Sequence, residues 1–233
     1  MATYIFGEGP TGDQSGLHKS TAIRAEQPDK AFGEYIYAVT DTDYYPLIRY
    51  NMVSILGESI DSAYLTFYSY GPVYNDATVG VHKLLSDWGK TDTDEGAAED
   101  IASDGLATWN NRKDFNSGSD VGWAAGAGVG FGAGDYAAVA EGVASHSLDD
   151  PAGTSSVVDI TAYVTAYAAG TQTNDGFVLI PIAGIFRIAG SAYETVAYRH
   201  FLTVVTSGGG GGATGSSVAR QKSSTSVGIG IGV

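Results

Sequence analysis

Ser62-Ala-Tyr-Leu-Thr-Phe-Tyr-Ser-Tyr70 alternates without a break. Ala63, Leu65, Phe67 and Ser69 share one face, and Tyr64, Thr66, Tyr68 and Tyr70 share the other. A period of two, written in aromatic and β-branched residues, is the pattern of a β-strand. The first face carries no charge and predicts a core-lining surface. The second is tyrosine-rich, so it is expected either beneath another element or against a partner. We expect the stretch Gly122–Gly134 or a helix at 160–168 to cover it.

Similar patterns lie on both sides. Thr21–Ala25, Glu34–Val39 and Leu47–Val53 precede this strand, and Val79–Leu84, Gly176–Ile182 and Ala197–Val205 follow it. Each is short, and turn signals recur every 8–12 residues, as in a β-sandwich. Ile160, Tyr163, Val164 and Tyr167 instead recur at i, i+3, i+4 and i+7. That spacing predicts one short helix, with Asp159 or Thr161 at its start and Gly170 at its end. From Gly122 to Gly134 glycine takes nearly every second position, which reads as a loop.

Composition divides the chain into three. Residues 1–20 mix Gly, Pro, Asp and Ser around a strand candidate at Thr3–Phe6 and read as an N-terminal arm. Residues 21–206 form the sandwich domain. Residues 207–233 form a Gly/Ser-rich tail, in which Gly208 to Gly212 make a flexible linker by composition. The tail ends Ser-Val-Gly-Ile-Gly-Ile-Gly-Val233, an apolar/glycine alternation able to add an edge strand to another sheet.

The net charge is −14, which disfavours nucleic acid as a partner because phosphates would be repelled. That charge is unevenly spread. Residues 1–205 carry −16, whereas the tail has Arg220, Lys222 and no acid. Such asymmetry marks the tail as an object that docks on an acidic surface, with Arg220, Lys222, Ile229 and Ile231 as its contact residues. Hydrophobic residues make up 43% of the chain, enough to fold most of it. There is no cysteine, so disulfides and thiolate metal sites are excluded. Met1–Glu8 has neither a basic start nor an apolar run, so no secretory signal is expected, and no stretch is long and apolar enough for a membrane span.

Few residues suggest chemistry. Gly89-Lys-Thr91 resembles the end of a phosphate-binding loop, but Leu84 stands where that loop requires glycine. His18, His82, His146 and His200 are scattered singly, against a zinc site. No serine sits in a G-x-S-x-G elbow, and no catalytic residue is assigned. Asp92, Asp94 and Glu95 offer oxygens that Ca²⁺ accepts, although the spacing lacks the glycine and terminal glutamate of an EF-hand. The reading as a solvated acidic loop outweighs it, and no cofactor is expected. Trp88 and Trp109 are expected in the core. Trp123, Tyr70 and Tyr74 are the candidates for stacking on sugar rings. Arg49 and Arg199 lie among strand apolars and are expected to pair with acids such as Glu194.

Across 21–205 the chain resembles the DNRLRE-type, carbohydrate-binding-module-like domain. The resemblance rests on Pro28-Asp-Lys-Ala-Phe-Gly33, Leu47-Ile-Arg-Tyr-Asn-Met52 and Ile60-Asp-Ser-Ala-Tyr-Leu-Thr-Phe-Tyr68, then Val81-His-Lys-Leu84 leading to Trp88. Ala107-Thr-Trp-Asn110, Val158-Asp-Ile-Thr161, Asn174-Asp-Gly-Phe-Val-Leu179 and Arg199-His-Phe-Leu-Thr-Val204 continue it. The insertions at 89–105 and 117–150 depart from the family, as does His200 where proline is frequent. The resemblance implies an all-β, jelly-roll-like antiparallel β-sandwich that is not an enzyme and serves glycan contact or surface attachment. We therefore expect a virion (phage) structural protein decorating a capsid or tail surface, assembled in the host cytoplasm with other virion proteins or copies of itself. The alternative is a carbohydrate-binding module of a secreted or cell-surface bacterial protein.

Overall fold

The computed structural model describes residues 1–7, 18–32, 37–39, 44–70, 75–89, 100–101, 106–113, 115, 119–126, 130–190 and 193–207. Nine strands build two antiparallel sheets: β1 (Ala2–Gly7), β2 (His18–Arg24), β3 (Tyr44–Tyr50), β4 (Ile60–Tyr68), β5 (Ala77–Lys83), β6 (Gly142–His146), β7 (Ser155–Asp159), β8 (Phe177–Ala183) and β9 (Phe201–Thr206). The first sheet runs β1-β9-β4-β7, and the second runs β6-β5-β8-β3-β2. With β2 set aside and the other eight lettered B to I in chain order, the sheets read B-I-D-G and F-E-H-C. That is the strand order of a jelly roll, two Greek keys sharing one core. The segment expected as an arm supplies two strands: β1 pairs with β9, and β2 begins at His18 rather than Thr21.

The alternation at 62–70 decides which side of β4 faces inward. Ala63, Leu65 and Phe67 have no solvent exposure. They meet Phe6, Ile48, Tyr50, Val79, Val81, Phe177, Leu179, Leu202 and Val204 between the sheets. Helix α1 (Thr161–Ala168) closes one end of this core, burying Tyr163, Val164 and Ala168. Asp159 accepts the Thr161 N–H at 2.9 Å, ahead of the first turn, and Gly170 ends the helix at φ +71°.

The second sheet has a second apolar layer on its outer side. Ile23, Leu47 and Val178 project outward and are covered by Leu84, Trp88, Ala107, Trp123 and Phe131 from the loops. Trp123 and Phe131, from the described part of the second insertion, therefore lie against the second sheet. A charged clasp holds them in place. The Asp87 carboxylate receives Arg49 and Lys113, and Arg112 donates to the Asp87 carbonyl at 2.5 Å and the Gly122 carbonyl at 3.1 Å. Lys19 donates to the Trp88 carbonyl, with its ammonium 4.4 Å from the centre of the indole ring. Burial pushes the Asp87 carboxyl up, but its hydrogen bonds from Lys113 and Arg49 outweigh that and hold it below the ordinary carboxylate range.

Candidate functional site

Among the described residues, the outer face of the first sheet has only a partial cover. Cross-strand partners in an antiparallel sheet share a face, so the register fixes which side chains point outward from the first sheet. Thr3, Val205 and Ser62 form one row; Ile5, Thr203, Tyr64 and Asp159 form the next; Gly7, Phe201, Thr66 and Val157 form the third. Tyr68 and Ser155 complete the face. Val157 is 59% exposed and Tyr64 is 38% exposed. Asp159 is the only charged residue in these rows, on a chain of net charge −14.

At one end the face rises into a ribbon of rings. Tyr70 meets Tyr193 edge-on at 5.1 Å, and Tyr193 stacks on Tyr198 at 6.5 Å. Tyr198 tilts against Tyr68 at 5.7 Å, which in turn meets Phe201 at 6.4 Å. The turn Val196–Tyr198 carries this cover, and Arg199 anchors it by donating Nε–H to the Tyr193 carbonyl at 2.7 Å. Gly153 makes room for the Tyr198 ring: a Cβ there would lie 2.8 Å from it. Tyr68 and Tyr70 are thus partly covered by residues 193–198, and Tyr64 stands open. Among the described residues, neither the glycine-rich stretch nor the helix provides the cover expected from sequence.

The residues singled out from sequence have different fates. Trp123 is 2% exposed, packs edge-on against Phe131 at 4.9 Å and donates Nε1–H to the Thr108 carbonyl at 2.9 Å. Its indole offers no face to a sugar, because the insertion that looked like an open loop folds back on the second sheet. Tyr70 joins the ribbon. Trp88 is fully buried, and Trp109 is half-buried, stacked on Tyr45 at 5.7 Å. Arg49 pairs with an acid as expected, but the acid is Asp87 rather than Glu194. Tyr74, Asp92, Asp94, Glu95, Arg220, Lys222, Ile229 and Ile231 lie outside the described residues. Among the described residues no cluster of His, Asp and Glu is arranged to hold a metal ion.

One constellation escaped sequence reading. His146 on β6 contacts the Ser156 hydroxyl on β7 through Nε2, and its Nδ1 lies 3.5 Å from the Asp150 carboxylate. The order serine–histidine–aspartate is that of a hydrolase relay. Ser156, however, faces inward between the sheets and is 6% exposed, so a substrate carbonyl has no approach to Oγ. The contact ties the edge strand of one sheet to the edge strand of the other. Burial lowers the His146 pKa, and Asp150 only partly offsets this. Beside it lies an open depression of about 490 Å³ lined by Asp76, Thr78, Ser145, His146, Ser147 and Asp150. No sequence motif announced the trio: His146 and Asp150 are four residues apart, but Ser156 meets His146 only where the edge strands of the two sheets come together.

Among the described residues, the fold and this surface define an all-β sandwich with one face covered by loops and the opposite face partly open and nearly uncharged. No protein-family model matches the chain, and no curated protein matches its sequence.

Proposed function

We propose that the chain is a non-enzymatic structural protein of a virion surface, a capsid- or tail-decoration module that docks through the bare face of its first sheet. The observation that carries this reading is the pair of exposed residues Val157 and Tyr64, flanked by half-buried Thr203, Val205 and Ile5, on a face holding one charge in a chain of net charge −14. A strongly acidic protein can approach a neighbour most cheaply where its own charge is absent. Four strands about 4.8 Å apart and five residues at about 3.4 Å each make a patch of roughly 20 by 17 Å. That is under half of the roughly 800 Å² per partner in a standard interface. A single contact is therefore weak, and an array of repeated contacts makes it effective. The jelly-roll strand order agrees with a kinship to DNRLRE-type domains, which we carry as part of this proposal.

The test is fractionation. An antibody to the chain should follow intact phage particles through a density gradient, and Val157→Glu with Thr203→Glu should release it while leaving the far-ultraviolet spectrum unchanged. A chain that stays at the top of the gradient would overturn the reading. The tyrosine ribbon favours a second reading, a carbohydrate-binding module of an extracellular bacterial protein, since ring faces at this spacing stack on sugars. Glycan-array binding lost on Tyr198→Ala would favour it.

A further inference from the structure

Strands β6 and β7 are the edge strands at which the two sheets meet, and residues 147–154 join one directly to the other. They belong to different sheets, so side chains rather than a backbone ladder hold this seam. At one end Gly142 lets Val158 approach: a Cβ there would lie 2.4 Å from the Val158 Cγ1. At the other end His146 meets Ser156 through Nε2, and its Nδ1 stands 3.5 Å from the Asp150 carboxylate. Val158 is 2% exposed and belongs to the core, so the seam also closes one side of that core.

The His146 contact depends on the charge of the ring. In a neutral imidazole one nitrogen donates and the other accepts. With Nδ1–H turned to Asp150, Nε2 accepts the hydrogen bond of the Ser156 hydroxyl. A second proton makes Nε2 a donor as well, and the inward-facing hydroxyl can then no longer donate to it. It also places a charge on a residue that is 4% exposed.

The surrounding groups do not cancel that charge. From the turn the ring faces Asp150, whose carboxylate also accepts the Ser147 N–H at 2.9 Å. Asp76, across the depression, accepts the Leu148 N–H at 3.0 Å. From β5 the ring faces Ala77 and from β7 Ser156, and neither carries a charge. Burial outweighs Asp150, so the His146 pKa lies below its ordinary value. Protons reach the ring without unfolding, because His146 itself lines the open depression of about 490 Å³.

We propose that His146 is an acid-sensitive latch: its protonation releases Ser156 and opens the seam between β6 and β7 while the rest of the sandwich stays folded. The part that yields is small. It comprises residues 147–154 and the adjoining ends of two strands, each paired on one side only among the described strands. Val157 lies between Ser156 and Val158, so opening also loosens the outer face of the first sheet. The latch does not rest on the virion reading and is measured on the isolated chain.

The absence of cysteine permits a clean test. Val158→Cys places a thiol in the seam, and Leu179→Cys places one between the sheets, where Leu179 has no exposure. Each full-length variant is labelled with a methanethiosulfonate reagent, and its rate is divided by that of the same variant unfolded in urea at the same pH. Val158→Cys should label faster than Leu179→Cys. Its corrected rate should rise about three- to tenfold between pH 7.5 and 5.5, the range one proton supplies. His146→Gln in the same background should abolish the rise. With His146 in place, the rise should level off at the pH where the ring resonances of His146 titrate. Equal rates at the two thiols would mean that only global unfolding opens the seam, and the proposal would fall. A rise that persists in His146→Gln, or a plateau where the ring does not titrate, would overturn it as well.

Discussion

His146 and the glycines show how single positions govern this fold. Burial holds the His146 pKa below its ordinary value, so the unfolded chain binds a proton there more readily than the folded one. Its contribution to stability is complete above about pH 6.5 and is lost as the pH falls from there through the folded value. The midpoint of urea unfolding should therefore be flat from pH 8 to 7 and decline below 6.5, and His146→Gln should flatten that decline. Asp87, whose folded pKa is also lowered, acts in the same direction but only below about pH 4. Gly176 sits at φ +88°, and a Cβ there would lie 2.4 Å from the Ile48 carbonyl oxygen. Neither the backbone nor that carbonyl can yield without opening the β3–β8 pairing. Gly176→Ala should cost about 2 kcal/mol or more, read as a lower urea midpoint with an unchanged slope. No sequence pattern distinguishes Gly176 from the many glycines that tolerate a methyl group. The close carbonyl belongs to a residue 128 positions away.

At the scale of elements, the period-2 reading of 62–70 holds because both neighbours of β4, β9 and β7, pair with it in antiparallel register. Leu65 is fully buried between the sheets, and Leu65→Ala should destabilise the domain by about 3 kcal/mol, measured by the same unfolding curve. The helix was legible for a similar reason: Ile160, Tyr163 and Val164 are buried on the side that meets the core. Strand β6 was not. Gly-Val-Ala-Ser-His has little aromatic or branched content, and it becomes a strand through its pairing with β5. The loops over the second sheet depend on the Asp87 clasp rather than on periodicity. Asp87→Ala leaves Arg49 and Lys113 without their shared carboxylate; because Asp87 is 44% exposed, the cost should be only about 1 kcal/mol. Loosening should instead show in the near-ultraviolet signal of Trp88.

For the molecule as a whole, charge and cover are distributed in opposition. The described loops place aromatic residues on the outer side of the second sheet, and on the outer side of the first sheet Val157 and Tyr64 remain in contact with solvent. Val157→Lys should change stability by less than about 0.5 kcal/mol, as expected of an exposed strand position, and under the proposed virion role it should weaken cosedimentation with particles. A destabilisation of several kcal/mol would mean that another part of the chain covers this face.

The sequence by itself determined the fold class, the inward face of β4 and the position of the helix. These follow from local periodicity, which pairs each apolar side chain with neighbours two to four residues away. It also determined the contrast between an acidic domain and a tail without acids. Only the tertiary structure decided that Trp123 is buried, that residues 193–198 rather than the glycine-rich stretch lie over Tyr68 and Tyr70, and that Ser156, His146 and Asp150 meet. Those outcomes depend on which sheet a long insertion folds onto and on how the two sheets stack, and neither is written in the spacing of residues along one strand.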